Sequence, residues 1–384
     1  MEMLPIAISA EALSGMPEGS YRLIDTRDAA SIAYGSITGA EAMTETELLH
    51  HLPADKQLVL VCSSEAAGQA AAGKLREAGV PASVLSGGYA AWLLWHMSRR
   101  DADAVSANAD LSLSKKYRQK IWCKFTRAIN TYDLLQPGDK VAVCISGGKD
   151  SMLMAKLFQK LMVHSKFPFE VEFLVMDPGY SPANRKIIEI NCEKLRIPAH
   201  FFHSDIFDSV FNIEKSPCYL CARMRRGYLY SYARQLGCNK IALGHHFDDV
   251  IETTLMGMLY GAQIQTMMPK LHSSHFEGME LIRPMYLIRE DDIKGWRDYN
   301  DLHFLQCACK FTENCAACDD VTVSKRQEAK TLIRQLKKTT PDIENHIFRS
   351  MENVCLDTVI AWKSGGKTHH FLDSYDEAGR NGEE

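Results

Sequence analysis

The sequence predicts an α/β protein whose larger part is a doubly wound parallel sheet, and three observations predict it. Short β-branched, apolar runs, such as residues 141–145 and 171–176, recur between longer segments whose apolar residues have helical spacing. Each run ends in a turn signal where a strand would hand over to a helix: Ser146-Gly147-Gly148, Asp177-Pro178-Gly179 and Gly244. Repeated βα units of this kind close as parallel strands with helices on both faces.

Composition narrows the class. At 384 residues the chain can bury two or three cores, and 46% hydrophobic with 24% charged residues is ordinary for a soluble globular protein. No apolar run approaches the ~20 residues of a membrane-spanning helix. The opening Met1-Glu2-Met3-Leu4-Pro5 lacks the basic start and apolar stretch of a secretory signal, so a cytoplasmic protein without membrane association is expected. A net charge of −4 excludes a globally basic nucleic-acid binder and leaves any RNA contact to local patches. The 12 cysteines, without a signal peptide, point to metal or sulfur chemistry rather than disulfides.

Residues 1–97 read as a self-contained α/β unit. Segments 21–25 and 58–62 read as strands, 66–78 as an alanine-rich helix ending at Gly79, and 84–85 as a short strand before Ser86-Gly87-Gly88-Tyr89 and a helix with Trp92. Cys62 falls at the end of a strand and the start of a loop, where inward-pointing N–H groups beside a helix N-terminus would stabilise a thiolate or persulfide. Residues 98–112 are small and polar and read as a linker. A basic helix follows: Lys115, Lys116, Arg118, Lys120, Lys124 and Arg127 interleave with Tyr117, Trp122 and Phe125. Such a helix is a solvated face over packed aromatics, and also a patch that suits RNA phosphates.

Residues 113–363 read as the second domain, opening on the strand 141–145 and the turn Ser146-Gly147-Gly148-Lys149-Asp150-Ser151. Glycines let backbone approach a ligand, and the following helix start offers unpaired N–H groups and a positive dipole end to a phosphate. Lys149 adds a cation, and Asp150 can hold magnesium. The spacing is not that of a Walker A loop. Ser146, Asp177 and Gly244-His245 all fall at strand ends, so the fold predicts that they converge on one nucleotide. Ser364-Gly365-Gly366-Lys367 repeats four of these letters without a preceding strand; residues 364–384 read as a disordered tail.

Ser216 and Pro217 cap and open a helix that sets Cys218 and Cys221 three residues apart on its first turn, where the dipole favours thiolates. Arg223, Arg225 and Arg226 follow. A later group holds Cys307, Cys309, Cys315 and Cys318. These cysteines suit a four-thiolate zinc site or three ligands of a cubane cluster with one open iron, and spacing does not choose between them. Asp248 and Asp249, at a strand-to-helix junction, suit magnesium alongside Asp150, or a helix cap at Asp248 with Glu252 in the first turn.

Three resemblances give these motifs a context. LIDTRD, GSITGAEAM and the strand–Cys62–loop–helix followed by LSGGYAAW resemble rhodanese domains in that order, although residues 62–68 lack the arginines common there. SGGKDS resembles the PP-loop of ATP pyrophosphatases, implying an adenine nucleotide alpha-hydrolase-like fold that adenylates a substrate. Finally, residues 113–358, including PCYLCARMRRGYLYSYARQLGCNKIALGHHFDDVIETTLMGMLYGAQIQTMMPKL, IRPMYLIREDDI and IENHIFRSMENVCLDT, resemble the tRNA 2-thiocytidine synthetase family. That resemblance implies ATP and Mg²⁺ at Ser146–Ser151, with a 4Fe-4S cluster on Cys218, Cys221 and Cys307. Because the later segment is C-x-C with an added ENCAAC, Cys309 stands as the alternative third ligand. It further implies a homodimer, tRNA as substrate, and a cysteine desulfurase or other persulfide donor as partner.

The expectation is an ATP-dependent tRNA sulfurtransferase that replaces the C2 oxygen of a cytidine, with Cys62 as a tethered sulfur carrier. Its rivals are a PP-loop thiolase acting on another base or a small molecule, a lysidine-type ligase, and a non-catalytic iron–sulfur sensor that binds RNA. The cysteines speak against the ligase and the intact SGGKDS against the sensor.

Overall fold

In a computed structural model of the chain, the described residues are 4–50, 56–204, 217–305, 325–373 and 375, with the backbone alone for 30, 45, 49–50 and 217–223. The N-terminal elements are β1 (Ala7–Ile8), α1 (Ala10–Ser14), β2 (Tyr21–Asp25), α2 (Ala29–Tyr34), β3 (Glu41–Ala42), α3 (Glu45–His50), β4 (Gln57–Val61), α4 (Glu65–Glu77), β5 (Ala82–Leu85) and α5 (Gly88–Ser98). Their strands form a parallel sheet in the order β1-β5-β4-β2-β3. β4 is buried along its whole length, which is why Gln57-Leu58-Val59-Leu60-Val61 shows no polar alternation.

Residues 98–112 are not a loose linker. Ala102–Ser114 (α6) is a helix capped by Asp101, whose side chain accepts from the Ala104 N–H. Val105, Ala109 and Leu113, spaced by four, are buried beneath it. Its polar residues are spent inward: Ser112 Oγ accepts from Trp296 Nε1 at 3.1 Å and from Asn300 Nδ2 at 3.0 Å. Buried Lys156 donates to Ser106 Oγ at 2.8 Å and pairs with Asp110 at 2.9 Å. Leu93 and Met97 of α5 share the same core cluster, so residues 1–97 are not self-contained either. A π-helical turn, Arg118–Trp122, then leads into α7 (Cys123–Thr131). Phe125 and Tyr117 are buried beneath the basic face, as the sequence predicts.

The larger sheet carries β6 (Lys140–Ile145), α8 (Lys149–His164), β7 (Glu170–Asp177), α9 (Pro182–Lys194), β8 (Ala199–His203), α10 (Pro217–Gln235), β9 (Lys240–Ala242), α11 (Phe247–Gly261), β10 (Lys270–His272), β11 (Glu280–Ile282) and α12 (Glu290–Tyr299). Its order is β10-β11-β9-β6-β7-β8, parallel except for β10 against β11. The strand order reverses at β6, with β9 on one side and β7 on the other. That places the switch point of a doubly wound sheet beside the Ser146–Ser151 turn.

Contacts divide the chain into a unit of residues 1–246 and 269–321, which carries both sheets, and a unit of residues 247–268 and 322–384. In the second unit α11 packs with α13 (Lys325–Thr339) and α14 (Ile343–Ser350); Phe247 stacks on Phe348 at 4.6 Å. Arg326 and Lys330 lie 3.4 and 3.6 Å from the buried Glu252. The expected tail begins instead with a hairpin: β12 (Ala361–Ser364) pairs with β13 (Lys367–His370) through Gly365 and Gly366, at φ +58° and +77°. Two glycines at positive φ make the tight turn that the right-handed strand twist favours. Among the described residues, no helix is long and apolar enough to cross a membrane.

Candidate active site

The turn after β6 is built so that only glycine fits at position 147. Gly147 sits at φ +85°, and a Cβ there would lie 2.7 Å from Ile188 Cγ1. Gly148 caps α8 without a side-chain hydrogen bond, leaving the first-turn N–H groups to an anion. Ser151 closes the turn from inside: its Oγ donates to Gly148 O at 2.9 Å and accepts from Ser146 N at 3.1 Å. Ser146 remains exposed at the mouth. Gly244, beyond β9, lets that chain approach the start of α8, since a Cβ there would stand 3.2 Å from Ser151 N.

Charge is concentrated in the first turn of α8. Lys149 Nζ lies 3.0 Å from Asp150 Oδ2 and 3.2 Å from Glu290 Oε1. Burial works against the Lys149 charge, but the two carboxylates outweigh it and hold the ammonium above the ordinary lysine range. Asp150 Oδ1 is buried with no hydrogen-bond partner among the described residues, 3.8 Å from His246 Nε2. A buried carboxylate oxygen without a hydrogen-bond partner among the described residues is what a cation would complete, so Asp150 fits Mg²⁺. His245 is half-buried and His246 buried.

Asp177 stands at the predicted strand end, but its carboxylate is used in building the loop. Oδ1 accepts from the N–H groups of Gly179 and Tyr180 at 2.9 and 2.8 Å, and Oδ2 from Arg185 at 2.6 Å. Burial raises its pKa, but these donors outweigh it and hold the carboxyl below the usual range. Asp248 and Asp249 fall within the first turn of α11 rather than at its cap, because the helix begins at Phe247. Arg326 Nη1 lies 3.4 Å from Asp249 Oδ1.

Cys62 follows β4 directly, with only Ser63 and Ser64 before α4, and Ser64 caps that helix. Cys62 is 8% exposed and belongs to the core between the sheet and α4. Thr26 Oγ1 donates to its sulfur at 3.1 Å, and a Cβ on Gly68 would stand 3.0 Å from it. The loop expected here is short, with Ser63 and Ser64 alone between the buried Cys62 and α4.

Cys218 and Cys221 lie near the start of α10, on the helix predicted for them. Ser216, Cys307, Cys309, Cys315 and Cys318 lie outside the described residues. The chain just before Cys307 is described: Leu305 donates its N–H to Gly147 O at 3.1 Å and accepts the Tyr34 hydroxyl on its carbonyl at 2.7 Å. Glu290, Leu305 and Tyr34 were not among the predicted site residues. Glu290 had a signal in the IREDDI segment, whereas Tyr34 had none.

Comparison with known proteins agrees with this construction. Residues 118–309 match the PP-loop domain family and residues 9–94 the rhodanese-like domain family. The tRNA-cytidine(32) 2-sulfurtransferase of Vibrio parahaemolyticus is 34% identical over 248 residues, 63% of this chain and 78% of that protein. The protein of the same name from Polaromonas naphthalenivorans is 32% identical over 243 residues, 62% of this chain and 74% of that one. Its counterpart in Neisseria meningitidis is 30% identical over 261 residues, covering 67% and 77%. With a rhodanese-like domain at its N-terminus and a PP-loop domain after it, the chain belongs to the tRNA-cytidine(32) 2-sulfurtransferase family.

Proposed function

We propose that the protein thiolates a cytidine of tRNA, at position 32 of the anticodon loop, at the expense of ATP. The observation that carries this reading is the hydrogen bond from Leu305 N to Gly147 O, because Leu305 is two residues before Cys307 and Gly147 lies in the phosphate-binding turn. The chain that leads to the later cysteines is thus tied to the phosphate-binding turn, an arrangement that suits sulfur transfer to an activated base.

The C2 oxygen of cytidine is a poor leaving group. In the proposed reaction this oxygen attacks the α-phosphorus of ATP, pyrophosphate departs, and AMP becomes the group that sulfur then displaces. The uncapped start of α8 and Lys149 hold the phosphates and neutralise their charge. Asp150 would hold Mg²⁺. Cys218, Cys221 and Cys307, with Cys309 as the alternative, form a thiolate set that suits a 4Fe-4S cluster. When bound, such a cluster supplies an iron that presents sulfur as the nucleophile. The exposed Lys115, Lys116, Arg118, Lys120 and Arg127 offer contacts to tRNA phosphates. The active form would be a cytoplasmic homodimer supplied by a cysteine desulfurase or another persulfide donor.

A second reading concerns the N-terminal domain. The Thr26 hydroxyl on Cys62 Sγ is a suitable partner for a thiolate or persulfide, so the domain would carry donor-derived sulfur once the first turn of α4 moves aside.

The test is anaerobic incubation with ATP, Mg²⁺, sulfide and unmodified tRNA, followed by mass analysis of nucleosides. The expected product is 2-thiocytidine at position 32, with AMP and pyrophosphate released in step. A cluster-loaded protein that consumes no ATP in the presence of tRNA would sink the reading, and thiolation of another base would move it to a related thiolase.

A further inference from the structure

We propose that His96, Asp301 and His303 form a site for a divalent transition-metal ion of the zinc type, joining α5 to the loop after α12. His303 Nε2 lies 3.0 Å from Asp301 Oδ1, and His96 Nε2 lies 3.5 Å from Asp301 Oδ2. One ligand atom from each residue falls within 4.8 Å of the other two. Around a tetrahedral zinc ion with bonds of about 2.0–2.2 Å, ligand atoms stand roughly 3.3–3.6 Å apart. The side chains are therefore close to bonding positions without a change of backbone. Two imidazoles with one carboxylate suit zinc and similar ions, whereas magnesium and calcium take oxygen shells.

The surroundings orient these groups. The two imidazole rings meet at 87° with centroids 5.7 Å apart, and a nitrogen of each lies within 4.8 Å of the other and of an Asp301 oxygen. Trp92 stacks on His96 at 4.9 Å and 9°, and meets His303 edge-on at 6.4 Å. Asp301 is held at φ +49°, a left-handed conformation that Asp and Asn tolerate better than other side chains. Its N–H bonds Asp298 O at 3.1 Å, and Arg100 donates to its carbonyl. Half of the Asp301 side chain is exposed, which leaves remaining coordination positions to water.

Arg100 is the competitor. Its Nη1 lies 3.5 Å from Asp301 Oδ2, so an arriving ion takes that oxygen and leaves Arg100 with the backbone carbonyls of Asn300 and Asp301. A metal-free clamp between α5 and the loop would use the same contacts, and the experiment separates the two.

The full-length protein is titrated with Co²⁺ as a spectroscopic substitute for zinc. Cobalt held by thiolates is marked by its charge transfer; beyond it, one further cobalt per chain is expected, with d–d bands but no thiolate-to-cobalt charge transfer. That signal should persist in Cys218→Ser/Cys221→Ser and be lost in His303→Gln and Asp301→Asn. Asn keeps the left-handed backbone and the side-chain size, so matched melting temperatures of the metal-free proteins separate ligation from folding. Zn²⁺ should raise the melting temperature of the parent protein by more than that of Asp301→Asn. Cobalt uptake unaffected by the His and Asp substitutions, or uptake that carries thiolate charge transfer and disappears only with the cysteines, overturns the proposal.

Discussion

The Tyr34 hydroxyl donates a 2.7 Å hydrogen bond to the Leu305 carbonyl, across 271 residues of chain. Leu305 in turn gives its N–H to Gly147 O, and its Cδ1 lies 3.4 Å from where a Gly147 Cβ would stand. One residue thus links the rhodanese-like domain to the PP-loop, two positions before a candidate cluster ligand. The Arg297 guanidinium, 5.5 Å over the Tyr34 ring, fixes that ring in place.

Tyr34→Phe should therefore cost about 1 kcal/mol of stability and a larger share of thiolation activity. Burial raises the Tyr34 pKa above the ordinary tyrosine value, so the folded state favours the protonated hydroxyl. Its contribution is complete below pH ~10, the unfolded tyrosine value, and is lost as pH rises through the higher folded one. The parent should lose part of its stability advantage over Tyr34→Phe in alkaline melts; a gap that stays constant with pH would assign the effect to packing.

Asp150→Asn should raise the Mg²⁺ needed for half-maximal pyrophosphate release and slow that release by roughly 10²-fold or more. The variant keeps the size of the side chain but removes the charge from the buried Oδ1. A magnesium titration of both proteins at saturating ATP and tRNA measures it. If the half-maximal concentration does not move, the cation belongs to other residues.

The central strand–turn–helix was legible because three signals agreed there: a buried β-branched strand, glycines before a helix, and Lys149 with Asp150 at its start. The ends of β6, β7 and β9 followed from the parallel topology. α6 was misread because its serines and asparagine look solvent-seeking, whereas Ser106 and Ser112 find buried partners in Lys156, Trp296 and Asn300. The β12–β13 hairpin was missed because its strands are polar, though its Gly-Gly pair is a turn signal in its own right. Asp177 was placed correctly along the chain, but its use by Gly179, Tyr180 and Arg185 depends on loop geometry that spacing does not carry. The Tyr34–Leu305 contact joins two domains and leaves no local trace.

Because α6 is packed, Leu113→Ala should destabilise the whole chain by about 2–5 kcal/mol, as a buried leucine does. Thermal or urea unfolding measures the loss. Limited proteolysis gives a second reading: residues 102–114 should resist cleavage in the folded protein. Rapid cutting there, with both halves left intact, would restore the linker.

Cys62→Ala separates the two routes by which sulfur can arrive. When sulfide is supplied directly, the proposed nucleophile forms at the other cysteines and the variant should thiolate tRNA at the parent rate. When a persulfide donor supplies the sulfur, with a thiol reductant giving the two electrons that bring sulfane sulfur to the sulfide level, transfer through Cys62 should fail and the rate should fall at least tenfold. Burial of the sulfur under α4 adds a kinetic signature, since the first turn of that helix must open before the donor can reach it. Ser64→Ala removes the cap of α4 and loosens that turn by about 1 kcal/mol. Donor-driven thiolation should then speed up in Ser64→Ala while the sulfide-driven rate stays fixed. Equal rates with both sulfur sources in Cys62→Ala would leave the rhodanese-like domain a supporting role through Tyr34 alone.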